Sequence, residues 1–347
     1  MDIRRYPREE LWSLAAESLA AVGAPFEEAD FVAATLVSAD ARGIHSHGLL
    51  RLPLYVESVE AGGIVPGAPL RWVREEGATA VLDGGSGFGQ VIMQEAVDKA
   101  RTLARRYGTA TVAVNHSTHY GVGAYWTDQL ARDGLIGILV GTTGKSVAPY
   151  GSAEKFIGTN PLSMSFPTGG RPITADMATS AGAYGKLVEA AGAGRDVPEG
   201  WAVDADGVPT TDASAAVAGA LIPFGGHKGS AVAVLVELLA GAGGGGNFAH
   251  ESVDIWTDRS AQIGAGALLI AIDLERLHGD QTALDRAAGF RDDLTGLRPA
   301  RGTERVLAPG DPEQLKDDAN GTSVSIPRHI DDALRATHRR VTAAPGR

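Results

Sequence analysis

The chain has 347 residues, of which 44% are apolar and none is cysteine. The lack of cysteine excludes disulfides, thiolate catalysis, zinc–thiolate sites and iron–sulfur clusters. A formal net charge of −11 argues against binding nucleic acid or an anionic membrane through bulk charge. The first residues lack the apolar run of a signal peptide, and no segment reaches the ~20 apolar residues of a membrane span. We expect a cytoplasmic protein with a sizeable core and with no membrane or nucleic-acid partner.

The first sixty residues carry apolar side chains at helical spacing, with glycines between the runs. Pro7 and Gly23 bound a first predicted helix, and Pro25 and Gly43 bound a second. A third predicted helix covers residues 49–59. We therefore expect the chain to begin with a helical part.

The middle of the chain mixes short strand-like runs with helices. The predicted strands cover residues 78–82, 109–114, 136–140, 163–166, 173–176 and 267–273. The predicted helices cover residues 91–106, 124–132, 231–239 (a buried helix) and, near the C-terminus, 329–340. Residues 190–214 are predicted to be a long loop or a short helix with loops, and the glycine-rich residues 241–246 a flexible turn.

A first cluster of reactive side chains follows the second predicted helix. It contains His45, Ser46, His47, Arg51 and Tyr55. If a helix begins near Gly48, then positions 47, 51 and 55 are four apart and share one face. An imidazole can move a proton at neutral pH, and a guanidinium can grip a carboxylate through two parallel hydrogen bonds. The alternative interpretation, without a function, is a loop histidine beside an ordinary surface arginine.

A second cluster, with His116 and His119, directly follows the predicted strand at residues 109–114. Strand ends are common places for functional side chains, although a polar turn is an equally simple interpretation. Together with His45 and His47, these histidines also allow a metal-dependent hydrolase, but their spacing matches no standard zinc signature.

Three glycine- or hydroxyl-containing segments could approach a phosphate. Residues 84–89 resemble a dinucleotide-binding fingerprint, but Gln90 stands where the third glycine would be required, so a tight turn is the better interpretation. Residues 176–180 and 223–230 each combine small residues with backbone donors, and Lys228 adds a charge just before an apolar helix. Plain turns remain the alternative for both.

Taken in order, the motifs resemble those of the malate/L-lactate dehydrogenase family of non-Rossmann nicotinamide-dependent oxidoreductases, which includes ureidoglycolate dehydrogenase, L-sulfolactate dehydrogenase, diketogulonate reductase and piperideine-2-carboxylate reductase. The motifs run from Ala39-Asp40-Ala41-Arg42-Gly43-Ile44-His45-Ser46-His47-Gly48 through His119-Tyr120-Gly121, Gly158-Thr159-Asn160-Pro161, Asp176-Met177-Ala178-Thr179-Ser180 and Gly226-His227-Lys228-Gly229. The resemblance covers roughly residues 8 to 335.

The resemblance implies an L-sulfolactate-dehydrogenase-like α/β (α+β) fold. It comprises a helical domain of residues 1–75 together with 290–347, and a mixed domain of residues 76–289 with a mostly antiparallel sheet that binds NAD or NADP. It also implies a homodimer and a small carboxylate substrate.

The resemblance also implies roles for individual residues. His119, His47, Ser46 and Arg51 would be catalytic, and Arg51, Tyr55 and Lys145 would bind the substrate. The cofactor would be held by residues of the later motifs, namely Thr159, Asn160, Asp176, Met177, Ala178, Thr179, Ser180, Lys186, His227, Lys228, Pro309, Gly310 and Asp311. No bound metal is implied.

The implied reaction is hydride transfer between nicotinamide and the alpha carbon of a 2-hydroxy or 2-oxo acid. Lys145 stands where a less charged loop is typical, which suits a second acidic group on the substrate or else a solvated lysine. A cyclic imine reductase of the same fold and a binding protein without turnover stay open as alternatives.

Overall fold

The computed structural model describes residues 2–253 and 255–343. Its N-terminal part contains strand β1 (Ile3–Pro7) and helices α1 (Arg8–Ala21), α2 (Phe26–Ala41) and α3 (Leu52–Ala61). The first two predicted helices are confirmed, and Gly23 takes the left-handed conformation between them (φ +100°). The third helix begins later than predicted, because residues 45–47 and 49–51 form two separate 3-10 turns. Pro53 fits the first turn of α3 but would interrupt a helix that had begun at residue 49.

The next segment builds most of a large sheet. Its strands are β2 (Arg71–Glu76), β3 (Thr79–Asp83), β4 (Thr109–Ser117), β5 (Leu135–Gly141), β6 (Leu162–Phe166) and β7 (Ile173–Met177). Its helices are α4 (Gly89–Tyr107) and α5 (Gly123–Arg132). Except for β2, these elements lie where the sequence predicts them. Four of the six residues of β2 are charged and its side chains are mostly exposed, so it lacks the alternation that identifies a half-buried strand.

The rest of the chain is more fragmented. It contains α6 (Tyr184–Gly192), β8 (Ala202–Val203), β9 (Pro209–Thr210), α7 (Ala213–Ala218), β10 (Ala220–Leu221), α8 (His227–Leu238), β11 (Ala265–Asp273), α9 (Leu274–His278), α10 (Thr282–Thr295), α11 (Asp311–Asn320), β12 (Ser323–Pro327) and α12 (Arg328–Thr342). Helices α10 and α11 were missed by the sequence analysis. No residue of α10 is buried and only Asp311 of α11 is, so neither helix shows an apolar stripe.

The two chain ends pack together. Strands β1 and β12 pair antiparallel, and one hydrophobic core joins α1, α2 and α3 to β12 and α12. A second core lies between the large sheet and helices α4 and α5. The predicted domain limits fall inside β2 and α10, and the division into two domains stays a prediction.

The large sheet has seven strands in the order β2-β3-β4-β11-β5-β6-β7. Only β3 and β4 run parallel, and the other five neighbouring pairs are antiparallel. A mostly antiparallel sheet with helices is therefore confirmed. Strands β3, β4, β5 and β7 all end at one edge of this sheet, where β6 and β11 begin. The loops that carry the predicted motifs consequently meet at that edge.

The glycine-rich residues 241–246 are not the flexible turn that their composition predicts. Residues Leu239–Gly243 form a π-helical turn that packs against β11. A Cβ atom on Gly246 would lie 2.2 Å from the Cα of Gly266, and one on Gly266 would lie 2.2 Å from the carbonyl oxygen of Ala240. The glycines permit a close backbone approach, which is the other physical reason for a glycine run.

Helix α8 is also less buried than predicted. Leu235 and Leu238 are 59% and 47% exposed, although Val236 and, just after the helix, Ala240 pack on the sheet.

Among the residues that the structure describes, no helix is long and apolar enough to cross a membrane.

Candidate active site

A buried carboxylate fixes the turn that carries the first histidine cluster. Asp40, at the end of α2, is fully buried; its carboxylate lies 2.6 Å from His45 Nδ1 and accepts a hydrogen bond from the Leu49 amide at 2.7 Å. Gly48 is required here, because a Cβ atom would lie 2.4 Å from that carboxylate. Burial raises the pKa of Asp40 above its usual range. Asp40 lies in the first predicted motif, but its part in fixing this turn is not evident from the sequence.

The two predicted catalytic histidines come together. His47, in the turn, stacks on His119, which follows β4, with ring centroids 5.4 Å apart and planes 24° from parallel. The Ser46 hydroxyl lies 2.9 Å from His47 Nδ1. Thr118 positions the second histidine, because its hydroxyl donates to the Gly87 carbonyl and accepts from the Gly89 amide. Residues 72 positions apart in the sequence thus share one site.

Tyr55 lies behind His119 and away from any surface that a substrate could reach. The side chain is fully buried, and its hydroxyl is 2.6 Å from His119 Nδ1. The Nε2 amide group of Gln90, on α4, donates to the same hydroxyl at 2.9 Å. The predicted direct contact of Tyr55 with the substrate is therefore replaced by contact with the histidine.

Arg51 also reaches this site, although not along a shared helix face. Its Nε donates to the Ser46 carbonyl at 2.7 Å, and its guanidinium lies 4.6 Å above the centre of the Trp256 ring. The expectation of one continuous helix carrying His47, Arg51 and Tyr55 is wrong, since His47 and Arg51 lie in two short turns before α3. Trp256 gave no recognisable signal in the sequence.

The site favours neutral imidazole rings. Burial and then the nearby Arg51 charge lower the pKa of His47 to about 4. Burial, followed by the charges of Arg51 and His47, holds the pKa of His119 well below its ordinary value. Burial raises the pKa of the Tyr55 hydroxyl to about 12. At neutral pH, both rings are therefore neutral and the phenol keeps its proton.

The end of β7 presents part of the third motif to solvent. Asp176, Met177 and Ala178 are exposed, whereas Thr179 and Ser180 are buried. The Asp176 carboxylate accepts from the Ala124 amide at 2.9 Å, at the start of α5. Desolvation of the carboxylate by the protein around it, and then the negative charges of Asp128 and Glu313, raise the pKa of Asp176 to about 6. Thr179 donates through its amide to the Thr159 carbonyl at 2.8 Å, so these two motifs are adjacent.

The start of α8 forms an open cradle beside this segment. Gly225 and Gly226 both have left-handed backbones (φ +61° and +65°) with open space around them. The following His227 and Lys228 are exposed in the first turn of α8. The Phe224 amide donates to the Thr179 carbonyl at 3.0 Å, which joins the cradle to the Asp176 segment. Unpaired helix amides with a lysine beside them suit the phosphates of a dinucleotide.

Two predicted cofactor residues turn their side chains inward. Asn160 is fully buried and donates to the Glu237 carboxylate at 2.6 Å. Asp311 is 3% exposed and accepts from Arg291 and from the Ala308 amide. Their side chains hold loops in place, so the contacts expected of them with a cofactor are not available to the side chains.

The remaining predicted residues are two exposed lysines and the segment of Pro309 and Gly310. Lys186 is exposed on α6, and Lys145 is exposed in the loop after β5. The Thr143 hydroxyl of that loop accepts from the Thr159 amide at 2.9 Å. The Pro309 carbonyl accepts from the Thr174 amide at 2.9 Å, and Gly310 packs against Thr174, so this segment lies along β7.

The four histidines of the hydrolase alternative do not form a metal site. His45 pairs with Asp40, and His116 lies 3.0 Å from Asp83 with an exposed ring. Across residues 2–253 and 255–343, no three His, Asp or Glu side chains are arranged to hold a metal ion. Nothing in this geometry supports metal-dependent hydrolysis.

Comparison with known protein families shows to which family this chain belongs. The pattern of the malate/L-lactate dehydrogenase family matches residues 6–335. The chain belongs to this family. It is 36% identical over 292 residues to L-sulfolactate dehydrogenase of Methanocaldococcus jannaschii, covering 84% of each chain. It is 33% identical to the NADP⁺-dependent (2R)-3-sulfolactate dehydrogenase of Chromohalobacter salexigens (93% and 95% covered) and 34% identical to the NAD⁺-dependent ureidoglycolate dehydrogenase of Escherichia coli (89% and 88%).

Solved structures agree. The sulfolactate dehydrogenase of M. jannaschii superposes with a TM-score of 0.91 at 32% identity, covering 98% of both chains. The delta1-piperideine-2-carboxylate reductase of Pseudomonas syringae superposes with a TM-score of 0.85 at 33% identity, covering 96% of this chain and 99% of the reductase. The predicted fold class is thereby confirmed. The predictions of a 2-hydroxyacid dehydrogenase and of a nicotinamide cofactor, NAD or NADP, are confirmed as well.

Proposed function

We propose that this dehydrogenase interconverts a small 2-hydroxy acid and its 2-oxo acid, and that His119 moves the hydroxyl proton. The observation that carries this proposal is the neutral, stacked His47–His119 pair beside the Arg51 charge. Tyr55 occupies Nδ1 of His119, so Nε2 is the ring nitrogen that remains for a substrate. A neutral imidazole nitrogen can take the hydroxyl proton in oxidation, and the resulting imidazolium can return it in reduction.

Arg51 is proposed to bind the substrate carboxylate and thereby fix its orientation. Its position is set by the hydrogen bond to the Ser46 carbonyl and by the Trp256 ring below the guanidinium. A planar guanidinium recognises a carboxylate through two parallel hydrogen bonds. Ser46 and His47 are proposed to position the reacting oxygen, since the hydroxyl and ring of this pair are already hydrogen-bonded to one another.

The residues at the sheet edge fit a nicotinamide dinucleotide. The cradle of residues 225–228 offers helix amides and Lys228 to the phosphates. The exposed residues Asp176, Met177 and Ala178 lie on the neighbouring segment at the end of β7. When bound, the nicotinamide supplies or accepts a hydride at C4. The protein's own contribution is to hold the substrate's alpha carbon in place and to manage the proton at His119.

A doubly acidic substrate is proposed for two reasons. Lys145 is exposed on the loop beside Thr159 and, within the part of the chain that the structure describes, has no ion-pair partner. Burial, and then the charge of Lys145, lower the pKa of Lys155, so two lysines lie close together there. The relatives named for sulfolactate act on a molecule with a carboxylate and a sulfonate. A second anionic group would relieve the repulsion between the lysines.

A cyclic imine reductase is the second candidate, since a structural neighbour of 33% identity is named delta1-piperideine-2-carboxylate reductase. The same carboxylate contact at Arg51 serves both substrates. The two reactions differ in whether the atom that receives the proton is oxygen or nitrogen.

A homodimer is proposed from an apolar surface on the large sheet. On the face opposite α4 and α5, three rows of four apolar residues cross strands β11, β5, β6 and β7 in register. These rows are Leu268-Val140-Leu162-Met177, Ile270-Ile138-Met164-Ala175 and Ile272-Ile136-Phe166-Ile173. Met164 is 40% exposed, Phe166 38% and Met177 42%.

The size of this sheet face suits a second copy of the chain. Two of the twelve residues, Leu268 and Val140, are buried in one cluster with Val236 of α8. Strand spacings of ~4.8 Å and same-face repeats of ~6.8 Å give the other ten a footprint of about 330 Å². The exposed leucines of α8 extend the surface toward the ~800 Å² that each partner buries in a standard interface. Two-fold pairing would cover the same patch on both copies. Met164→Glu should give monomers in sedimentation analysis, whereas the control Val73→Glu on β2 should leave dimers; dimers in both would contradict this placement.

The proposed reaction is tested by following NADH and NADPH absorbance against a panel of 2-oxo acids and cyclic imino acids, with doubly acidic members included. We expect oxidation of one cofactor with a doubly acidic 2-oxo acid. Turnover with cyclic imines alone would establish the second candidate. No turnover and no binding of either cofactor would contradict both.

A further inference from the structure

The Tyr55 hydroxyl has more hydrogen-bond neighbours than protons to give them. It lies 2.6 Å from His119 Nδ1, 3.5 Å from the His119 carbonyl oxygen, and 2.9 Å from the donating Nε2 of Gln90. The hydroxyl carries one hydrogen, so the direction of its hydrogen bond to Gln90 decides whether it can donate that hydrogen to His119. The hydrogen-bond series Gln90–Tyr55–His119 therefore couples an amide to a ring nitrogen.

Two proton arrangements satisfy the two short contacts of the Tyr55 hydroxyl, since the 3.5 Å distance to the His119 carbonyl oxygen is long for a hydrogen bond from a hydroxyl. With the Gln90 amide nitrogen donating to the phenol oxygen, the phenol donates to Nδ1, and the neutral ring keeps its proton on Nε2. With the amide turned so that its oxygen accepts from the phenol, Nδ1 can carry the proton and donate to the phenol oxygen. Nε2 then has a free lone pair, which is the form that accepts a substrate proton.

The surroundings of Gln90 allow both arrangements. The side chain is 1% exposed, and its Oε1 has no hydrogen-bond partner among the residues that the structure describes. Turning the amide exchanges one unpartnered atom for the other, so no internal hydrogen bond is lost. A leucine or methionine would fill this space without offering either a donor or an acceptor.

We propose that Gln90, acting through Tyr55, sets which ring nitrogen of His119 carries the proton. This inference rests on the proposed role of His119 in proton transfer. Gln90 and Tyr55 are positioning residues: they touch neither substrate nor cofactor and act on the reaction through the histidine. With the Gln90 amide oxygen turned toward the phenol, Nε2 takes the hydroxyl proton while Nδ1–H stays bonded to the phenol oxygen and the phenol hydrogen stays bonded to Gln90. In that arrangement no proton has to leave these buried groups in either direction of the reaction.

The tautomer can be read directly by nitrogen-15 NMR of the histidine-labelled full chain without substrate. The His119 signal is assigned by its loss in His119→Asn. For the wild type at pH 8 without substrate we expect a resting tautomer with the proton on Nε2, because the Gln90 nitrogen is the donor to Tyr55. The base form, in which Nε2 has a free lone pair, then arises when the Gln90 amide turns its oxygen toward the phenol. Gln90→Glu supplies a carboxylate that only accepts, so the proton should move to Nδ1. Tyr55→Phe removes the donor and should give a mixture of the two tautomers.

The matched control is Gln94→Glu, which places the same charge one turn further along α4. A change of tautomer in Gln90→Glu that is absent in Gln94→Glu supports the proposal. The wild-type tautomer in Gln90→Glu overturns it, whatever Tyr55→Phe shows. Tyr55→Phe should also lower kcat by about tenfold or more with an unchanged cofactor Kd. Because the NMR readout needs no turnover, it fails or succeeds independently of the proposed reaction.

Discussion

The histidine pair and the glycine cradle meet at the same sheet edge but are built in opposite ways. The pair is made of two side chains from separate segments, and buried groups (Asp40, Tyr55 and Gln90) hold the two segments in place. The cradle of residues 225–228 is made of exposed backbone with a lysine beside it. Burial lets one region tune proton affinity, while openness lets the other bind a large anionic ligand. The account therefore predicts that chemistry and cofactor binding can be damaged separately.

His119→Asn is expected to show the largest difference between a loss of turnover and a loss of cofactor binding. Removing the proton carrier should lower kcat by roughly 10²–10⁴. Cofactor affinity should stay close to that of the wild type, because the cradle lies on other elements. Steady-state kinetics and cofactor fluorescence titration provide the two readouts. His116→Asn, which changes an exposed histidine near the end of β4, is the control; equal losses in both variants would remove His119 from its assigned role.

Arg51→Lys should separate substrate orientation from proton transfer. The charge is kept but the two-pronged contact is lost, so kcat/KM should fall by about 10- to 100-fold, mainly through KM. Arg259→Lys is a suitable control, because Arg259 also lies over Trp256 but pairs with Glu57. An unchanged kcat/KM in Arg51→Lys would place the carboxylate elsewhere.

Lys228→Met should weaken cofactor binding and leave turnover nearly unchanged, which is the opposite of the effect expected for His119→Asn. We expect cofactor Kd to rise about tenfold, which corresponds to about 1.4 kcal/mol, while kcat at saturating cofactor changes little. Lys316→Met, which removes an exposed lysine on α11, shows whether any loss of a positive charge has this effect. A fall in kcat without a change in Kd would mean that the lysine acts in the chemistry.

The smallest effect concerns pH. The pKa of His119 is held below its ordinary value, partly by the Arg51 charge, so the neutral base survives below pH ~6.5. The acidic limb of kcat/KM for oxidation should therefore lie below that pH. Arg51→Met should move the limb upward, since the lowering charge is gone. A limb that does not move, or that moves equally in Arg259→Met, would contradict this electrostatic account.

Regular, strongly patterned elements were predictable from sequence. Helices α4 and α5 and strands β4, β5 and β11 have apolar patterns that reflect their burial in a single core. Elements without buried residues, such as α10, carry no such pattern. Glycine composition was ambiguous for residues 241–246, because a flexible turn and a close backbone approach require the same residue.

The site was predictable to the extent that its residues lie in recognisable motifs. His47, Arg51 and His119 belong to such motifs, and the structure brings them together. Gln90 was noticed only as the residue that breaks a dinucleotide fingerprint, yet it contacts Tyr55. The inward orientation of Asn160 and Asp311 was equally hidden, since sequence does not reveal which way a loop side chain points. Such contacts depend on tertiary packing between segments distant in sequence.

We propose that a hydride passes between C4 of the nicotinamide and the alpha carbon of the substrate. This transfer is tested with reduced cofactor that carries deuterium at C4 in the transferable position, together with the 2-oxo acid found to be active. Mass spectrometry should show one deuterium on the alpha carbon of the hydroxy-acid product, and His119→Asn should make this product far more slowly. A product without deuterium, or with deuterium taken from heavy water at that carbon, would contradict the account.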